Sequence, residues 1–141
     1  ALASPGLAAL AGAGASYGVV HGDVWWKNAH AAGDLLTLFD FDYCGYGWRI
    51  GDLAALGANG RLHGRPVADE MVAALLAGYG EQRRLGAAEL AALPALEGAI
   101  MLWALGVWVF YCDAFGAQWL AARLATALPG LESWLERAAG G

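Results

Sequence analysis

Fourteen uncharged, strongly apolar residues in a row, Ala99–Cys112 (AIMLWALGVWVFYC), constrain this chain more than any other stretch. A helix apolar on all sides must be covered on most of them. A membrane span needs about twenty such residues. Here Glu97 and Asp113 close the run early. It therefore predicts a buried core helix of a soluble protein, packed against a helix that begins near Pro66, and no membrane as partner. Hydrophobic residues make up 59% of the 141 and charged residues 15%, enough apolar material for the core of a single domain spanning 1–141.

Upstream the pattern changes. Residues 1–16 are rich in Ala and Gly with a Ser4-Pro5-Gly6 break, which suits a short helix and then a loop. Tyr17–Val20 reads as a short strand delivering the loop 21–28. Asn28–Ala31 and Leu35–Phe41 read as two strands joined at Ala32-Gly33-Asp34, the second apolar as a buried strand is. Residues 42–51 (DYCGYGWRIG) read as an ordered loop. Asp52 then starts a helix that the Gly and Asn of GANG should stop.

From Pro66 onward the spacing is helical. One helix carries Met71, Leu75, Leu76 and Tyr79. A second runs from about Ala87 to Tyr111, restarted or kinked at Pro94. A third covers about Ala117 to Ala138, bent near Pro129-Gly130. The expected fold is α+β, mostly helical, with a small β hairpin carrying the polar loops.

The net charge is −5, and no run of Lys and Arg exists, which argues against nucleic acid as partner. Cys44 and Cys112 form no CxxC pair or zinc spacing, and no positively charged leader precedes an apolar run; a reduced, cytoplasmic protein is the plain expectation. Asp23, Asp40, Asp42 and Asp52 fall in an apolar, Gly-rich stretch. Acids clustered in that setting suit a divalent cation.

Three segments carry chemistry. His21-Gly22-Asp23 is followed by Asn28, and an apolar strand then ends in Asp40-Phe41-Asp42. Phosphoryl transfer needs a carboxylate that aligns the acceptor hydroxyl and takes its proton, and oxygen ligands for the magnesium that neutralises the nucleotide phosphates. An Asp and an Asn five residues apart on one loop can serve those two tasks. Asp40, at a strand end, can supply the second metal ligand. HxD alone is a weak signal; HGDxxxxN followed by a strand ending in DFD is a strong one.

At GVVHGDVWWKN, LLTLFDFDYCGYGWRIGDLA and LLAGYGEQRRLGAAELAALPALEGAIMLWALG the chain resembles the aminoglycoside phosphotransferase and choline kinase-like superfamily. Its homoserine kinase and stress-response kinase-like members are the most similar. The resemblance covers roughly residues 17 to 112 and implies the C-terminal lobe of a protein kinase-like fold. It implies Asp23 as catalytic base, with Asn28 and Asp40 as metal ligands. Asp42 falls at a position that is sometimes acidic, and both a secondary metal shell and hydrogen bonding within the loop stay open for it. Asp52 braces the catalytic loop, and His21 packs and orients it. Mg2+ would be the cofactor, ATP the co-substrate, and a small hydroxyl-bearing molecule the acceptor. Trp25 stands where many relatives carry His, as it does in chains similar to the fructosamine kinases.

Kinase-like enzymes also hold ATP under an N-terminal β lobe with a strand lysine. The one lysine here, Lys27, lies inside the catalytic loop, and Gly12-Ala13-Gly14 is not GxGxxG. The chain is therefore expected to be the C-terminal lobe without its nucleotide lobe, and inactive as that lobe alone. A Ser/Thr protein kinase of the stress-response type and a non-catalytic truncated lobe are the alternatives. A nucleotide-sugar transferase with DFD as its DxD motif ranks low, because that fold needs several βα units upstream. Of the remaining residues, His30 is read as a strand surface, His63 as a loop position, and Arg83-Arg84 as a solvated helix end. Trp103, Trp108 and Tyr111, at helical spacing, suit the core more than a pocket.

Overall fold

The structure, a computed structural model, describes residues 9–10, 16–65 and 69–140. The break at Ser4-Pro5-Gly6, Gly12–Gly14 and the helix start at Pro66 lie outside the described residues.

Four short strands form two separate antiparallel pairs. β1 (Tyr17–Val20) pairs with β4 (Gly45–Trp48), Tyr17 opposite Trp48 and Val20 opposite Gly45. β2 (Ala29–Ala32) pairs with β3 (Leu35–Leu38), Ala29 opposite Leu38. Helices follow: α1 (Ile50–Leu62), α2 (Asp69–Gln82), α3 (Ala87–Phe110), the short α4 (Cys112–Phe115) and α5 (Ala117–Gly140). A 3-10 turn, Trp26–Asn28, precedes β2. The protein is mostly helical with small antiparallel sheets.

α1 is the centre of the body, packed chiefly on α3 and also on α5. Gly57, Asn59 and Gly60 do not stop it; it continues to Leu62, with nine of its residues buried, Gly57, Ala58, Asn59 and Gly60 among them. In this helix the small residues are contact surface, and tertiary packing outweighs their low helix propensity. One buried cluster joins Ala58 and Leu62 of α1 to Met101 and Trp108 of α3 and Ala127 of α5. A second joins Leu10, Ile50, Leu53 and Ala92, with Leu75, Leu76 and Tyr79 of α2 packed on it.

Three sequence expectations give way here. β3 is exposed at all four residues, Leu35 at 67% and Leu36 at 64%, so its apolar side chains are not covered within this chain. The stretch read as a loop over 42–51 contains β4, because pairing with β1 satisfies its backbone. The apolar run in α3 is buried on one stripe: Met101 and Trp108 are covered, whereas Leu102 and Phe110 are 64% and 78% exposed. Among the described residues α3 is the one helix long and apolar enough to cross a membrane by length and composition. Its Ala99–Cys112 portion packs on α1 and α5. α2 meets the cluster that holds Leu93 and Leu96, further toward the helix start.

Neither internal proline ends its helix: α3 runs through Pro94 and α5 through Pro129. Interior proline costs roughly 3 kcal/mol, which the packing of these helices on α1 offsets. The Pro94 carbonyl accepts a hydrogen bond from Trp134 Nε1 at 3.1 Å, tying α3 to α5. Arg83 is no solvated helix end. It lies over the Tyr79 ring and pairs with the buried Glu89, whose carboxylate also accepts the Gly86 N–H at 2.9 Å and so caps α3.

Gly130 sits where α5 crosses the end of α1. A Cβ there would come within 2.5 Å of the Arg61 carbonyl oxygen, whereas one at Gly106 of α3 meets nothing within 4 Å. Gly130→Ala should lower stability by about 1–3 kcal/mol through overpacking. Gly106→Ala should raise it by roughly 0.5–1 kcal/mol through helix propensity. Urea denaturation of the two variants checks the pair; equal effects would contradict this crossing.

Candidate active site

The loop after β1 is held by a helix that follows β4. Because β1 and β4 are paired, His21 and Gly22 emerge beside the first turn of α1, where Asp52 sits. The Asp52 carboxylate accepts the His21 N–H at 2.8 Å and the Gly22 N–H at 2.9 Å. Two charge-assisted hydrogen bonds of this kind contribute roughly 1.5–3 kcal/mol each. Gly22 has φ +83°, and a Cβ on it would lie 2.3 Å from the Tyr43 carbonyl oxygen. The HGD motif needs its glycine for both reasons.

His21 is buried and spans two segments. Its Nδ1 accepts the Asp23 N–H at 3.3 Å, which leaves Nε2 as the donor to the Phe39 carbonyl at 3.0 Å. Its ring lies 4.4 Å from that of Phe41. The residues on either side of Asp40 are thus tied to the loop that carries Asp23.

Asn28 is also buried, and its Nδ2 donates to the Asp23 carboxylate at 2.8 Å and to the Asp23 carbonyl at 3.0 Å. The Asn28 carbonyl accepts the Phe39 N–H at 3.0 Å, continuing the β2–β3 ladder by one residue. That register sets Asp40 just beyond the residue facing Asn28. Asp40 has φ +65°, the one non-glycine residue with positive φ among those described. This left-handed turn is strained for most L-residues and tolerated by Asp. Burial pushes the Asp23 carboxyl above its ordinary range, the Asn28 hydrogen bond opposes this, and the Asp40 charge adds to the rise. A raised pKa makes a better proton acceptor near neutral pH.

Asp23, Asn28 and Asp40 therefore come together. Asp42 does not join them: it is exposed in the turn after β3 and is not among the charges acting on Asp23. Asn28 turns its amide nitrogen toward Asp23, and its Oδ1 accepts no hydrogen bond among the described residues. This donor set of one amide oxygen and one or two carboxylates fits a magnesium ion, which takes few protein ligands and keeps water or phosphate for the rest. Among the described residues no three His, Cys, Asp or Glu side chains gather as a closed metal cluster.

Asp23 lies between two cavities. One, of about 380 Å³, is bounded by Gly22, Tyr43, Trp48, Asn59, Ile100 and Trp103 among others. The other, of about 200 Å³, is bounded by Trp25, Lys27, His63, Trp103, Trp108 and Arg123. Trp103 is thus wall and not core, and Trp108 is both. His63 is no ordinary loop position: it stacks on Trp25 with ring centroids 4.4 Å apart and meets the edge of Trp108. Nothing in the sequence marks Tyr43, Asn59, His63 or Arg123, because they reach the site from the turn before β4, from α1 and its end, and from α5.

Residues 5–96 match the model of the phosphotransferase enzyme family, and the chain belongs to that family. Over 110 residues, 76% of this chain, it is 36% identical to an uncharacterized protein of Deinococcus radiodurans, and the match covers 32% of that protein. Among solved structures it is similar to the amicoumacin kinase hAmiN in complex with AMP-PNP, Ca2+ and Ami. The TM-score is 0.64 and the identity 27%, over 86% of this chain and 38% of that one. The fold is that of a kinase-like phosphotransferase, and the chain spans 32% of the first relative's length and 38% of the second's.

Burial first, then the charges of Arg123, Lys27 and Arg65, hold the His63 pKa down to about 4. The unfolded chain, with an ordinary histidine near 6.5, binds more protons between those two values. Stability should therefore fall as pH drops from about 6.5 through about 4, with no further loss from this group below that. A His63 ring titration by NMR with its midpoint near 4, and a flatter stability profile over that window in His63→Gln, would agree. A midpoint near 6.5 would contradict the buried, cation-flanked setting.

Proposed function

We propose that this chain is the acceptor- and metal-binding lobe of an ATP-dependent phosphotransferase acting on a hydroxyl of a small molecule. One observation carries the reading: Asp23, hydrogen-bonded by Asn28 and near enough to Asp40 to feel its charge, borders two cavities. Asp23 accepts the proton of the acceptor hydroxyl. As the acceptor oxygen bonds the γ-phosphorus, the bond from that phosphorus to the bridging oxygen breaks, and its electron pair leaves with ADP. Asn28 Oδ1 and Asp40 would hold magnesium, with Asp42 at most an outer contact. The cation, when bound, offsets the negative charge of the phosphates. Asp52 and His21 keep the loop in place.

The AMP-PNP and divalent ion bound by the similar kinase support ATP and a metal as co-substrate and cofactor. The concave cavities of about 380 and 200 Å³ beside Asp23 favour a small acceptor over an extended Ser/Thr peptide. We further propose that a nucleotide-covering lobe in a longer protein packs over the exposed β2–β3 hairpin and supplies the strand lysine. Lys27 cannot fill that role from the catalytic loop. By itself the lobe leaves adenine without a roof and is inactive.

In a longer protein with both lobes, Asp23→Asn should cut turnover by at least about a hundredfold with ATP affinity nearly unchanged. Turnover within a few-fold of the parent would refute the base. Paramagnetic manganese titration tests the metal separately: Asp40→Ala should weaken binding more than Asp42→Ala, and the reverse order would move the metal to Asp42.

A further inference from the structure

The smaller cavity carries a charge pattern that the transfer reaction does not require. Lys27, His63 and Arg123 border it together with Asp23, and the same three border an adjoining cavity of about 320 Å³ that extends along α5 past Ala122 to Thr126. The two ion pairs among the described residues are Arg61–Glu97 and Arg83–Glu89. Lys27, Arg65 and Arg123 thus have no carboxylate partner there. Asp23 does not serve as one, since the charges acting on it are those of Asp40 and His21. Lys27 and Arg123 border this cavity beside His63, Arg65 adds its charge there, and Asp23 is the one carboxylate among the residues that border it, in a chain whose net charge is −5.

The aromatic walls sharpen the point. Trp25, Trp108 and Trp119 would make a box for a cationic ligand if their faces were open. They are occupied by the chain's own cations. Lys27 Nζ lies 4.8 Å from the Trp25 ring centre, and the Arg123 guanidinium lies 5.4 Å from Trp108 and 5.2 Å from Trp119. A guanidinium beside aromatic rings keeps N–H donors at its edge for a planar or tetrahedral oxyanion. A cationic acceptor would meet repulsion here.

We propose that this groove is an oxyanion subsite, and that the acceptor is a small hydroxyl compound bearing a carboxylate or phosphate group held by Arg123 and Lys27 while its hydroxyl meets Asp23. The inference rests on the phosphotransferase reading for the hydroxyl end alone. The anion end needs neither ATP, metal nor Asp23. The cavity of about 200 Å³ between Asp23 and Arg123 has room for a short acid.

The test is binding to the 141-residue chain without nucleotide, followed by the indole and imidazole NMR signals of Trp25, Trp108 and His63. The probes are glycerol, glycerate, glycerol 3-phosphate and 2-aminoethanol. Glycerate or glycerol 3-phosphate should bind at least about tenfold tighter than glycerol, and 2-aminoethanol no better than glycerol. The tighter of the two anions identifies the group. Arg123→Met should bring the anion down to the level of glycerol. If that variant does not fold, Lys27→Gln should weaken the anion several-fold and leave glycerol unchanged. Asp23→Asn should keep anion binding, which separates failure of the subsite from failure of the catalytic reading. Equal binding of glycerol and both anions, tighter binding of 2-aminoethanol, or undiminished anion affinity in folded Arg123→Met would overturn the proposal.

Discussion

Two backbone N–H groups accepted by one carboxylate hold this site together. Asp52 reaches from the first turn of α1 to His21 and Gly22 at 2.8 and 2.9 Å, and α1 is the most buried element of the body. The loop that carries Asp23 therefore inherits the rigidity of the helical core, although it is built on a two-stranded pair that would be marginal by itself. His21 passes that anchoring on to Phe39, and Asn28 locks the far end of the loop to both Asp23 and the β2–β3 ladder. Loss of the Asp52 contact would release a chain of hydrogen bonds, not one.

The helices give the site its two different sides. α3 presents an apolar wall, with Ala99, Ile100 and Trp103 along the larger cavity, while its Met101 and Trp108 stripe is buried on α1 and α5. The end of α1 and the start of α5 bring His63 and Arg123 to the smaller cavity, where burial and neighbouring cations keep the imidazole neutral. Asp23 lies between an apolar chamber and a positive one. Its own raised pKa comes from burial in that position and from Asp40, whose left-handed backbone bends the chain straight after β3.

The exposed apolar surface has a consistent distribution. β3, the outer face of β1 and the C-terminal half of α3 leave Leu36, Val19, Leu102 and Phe110 uncovered, while among the described residues no fully buried side-chain nitrogen or oxygen lacks a hydrogen bond. The nucleotide-covering lobe proposed above would cover a surface of this kind. That agrees with the fraction of each relative's length that the chain spans.

The order of the chemical groups was legible in the residues themselves. HGD, Asn28 and DFD sit at fixed separations along one loop and one strand, and local geometry alone keeps Asp23 near Asn28. The helices from Asp69 onward were legible from spacing, and the hairpin from its Gly33-Asp34 turn. What tertiary structure decided are the long-range meetings. Whether GANG stops a helix or lines its contact face depends on what packs there, and here α3 and α5 do. Whether LLTL is buried depends on what lies over it. The placement of His63 and Arg123 beside Asp23 spans separations of 40 and 100 residues, and no local propensity encodes such contacts. They arise only when burial of the shared core, Ala58, Leu62, Met101, Trp108 and Ala127, brings α1, α3 and α5 together.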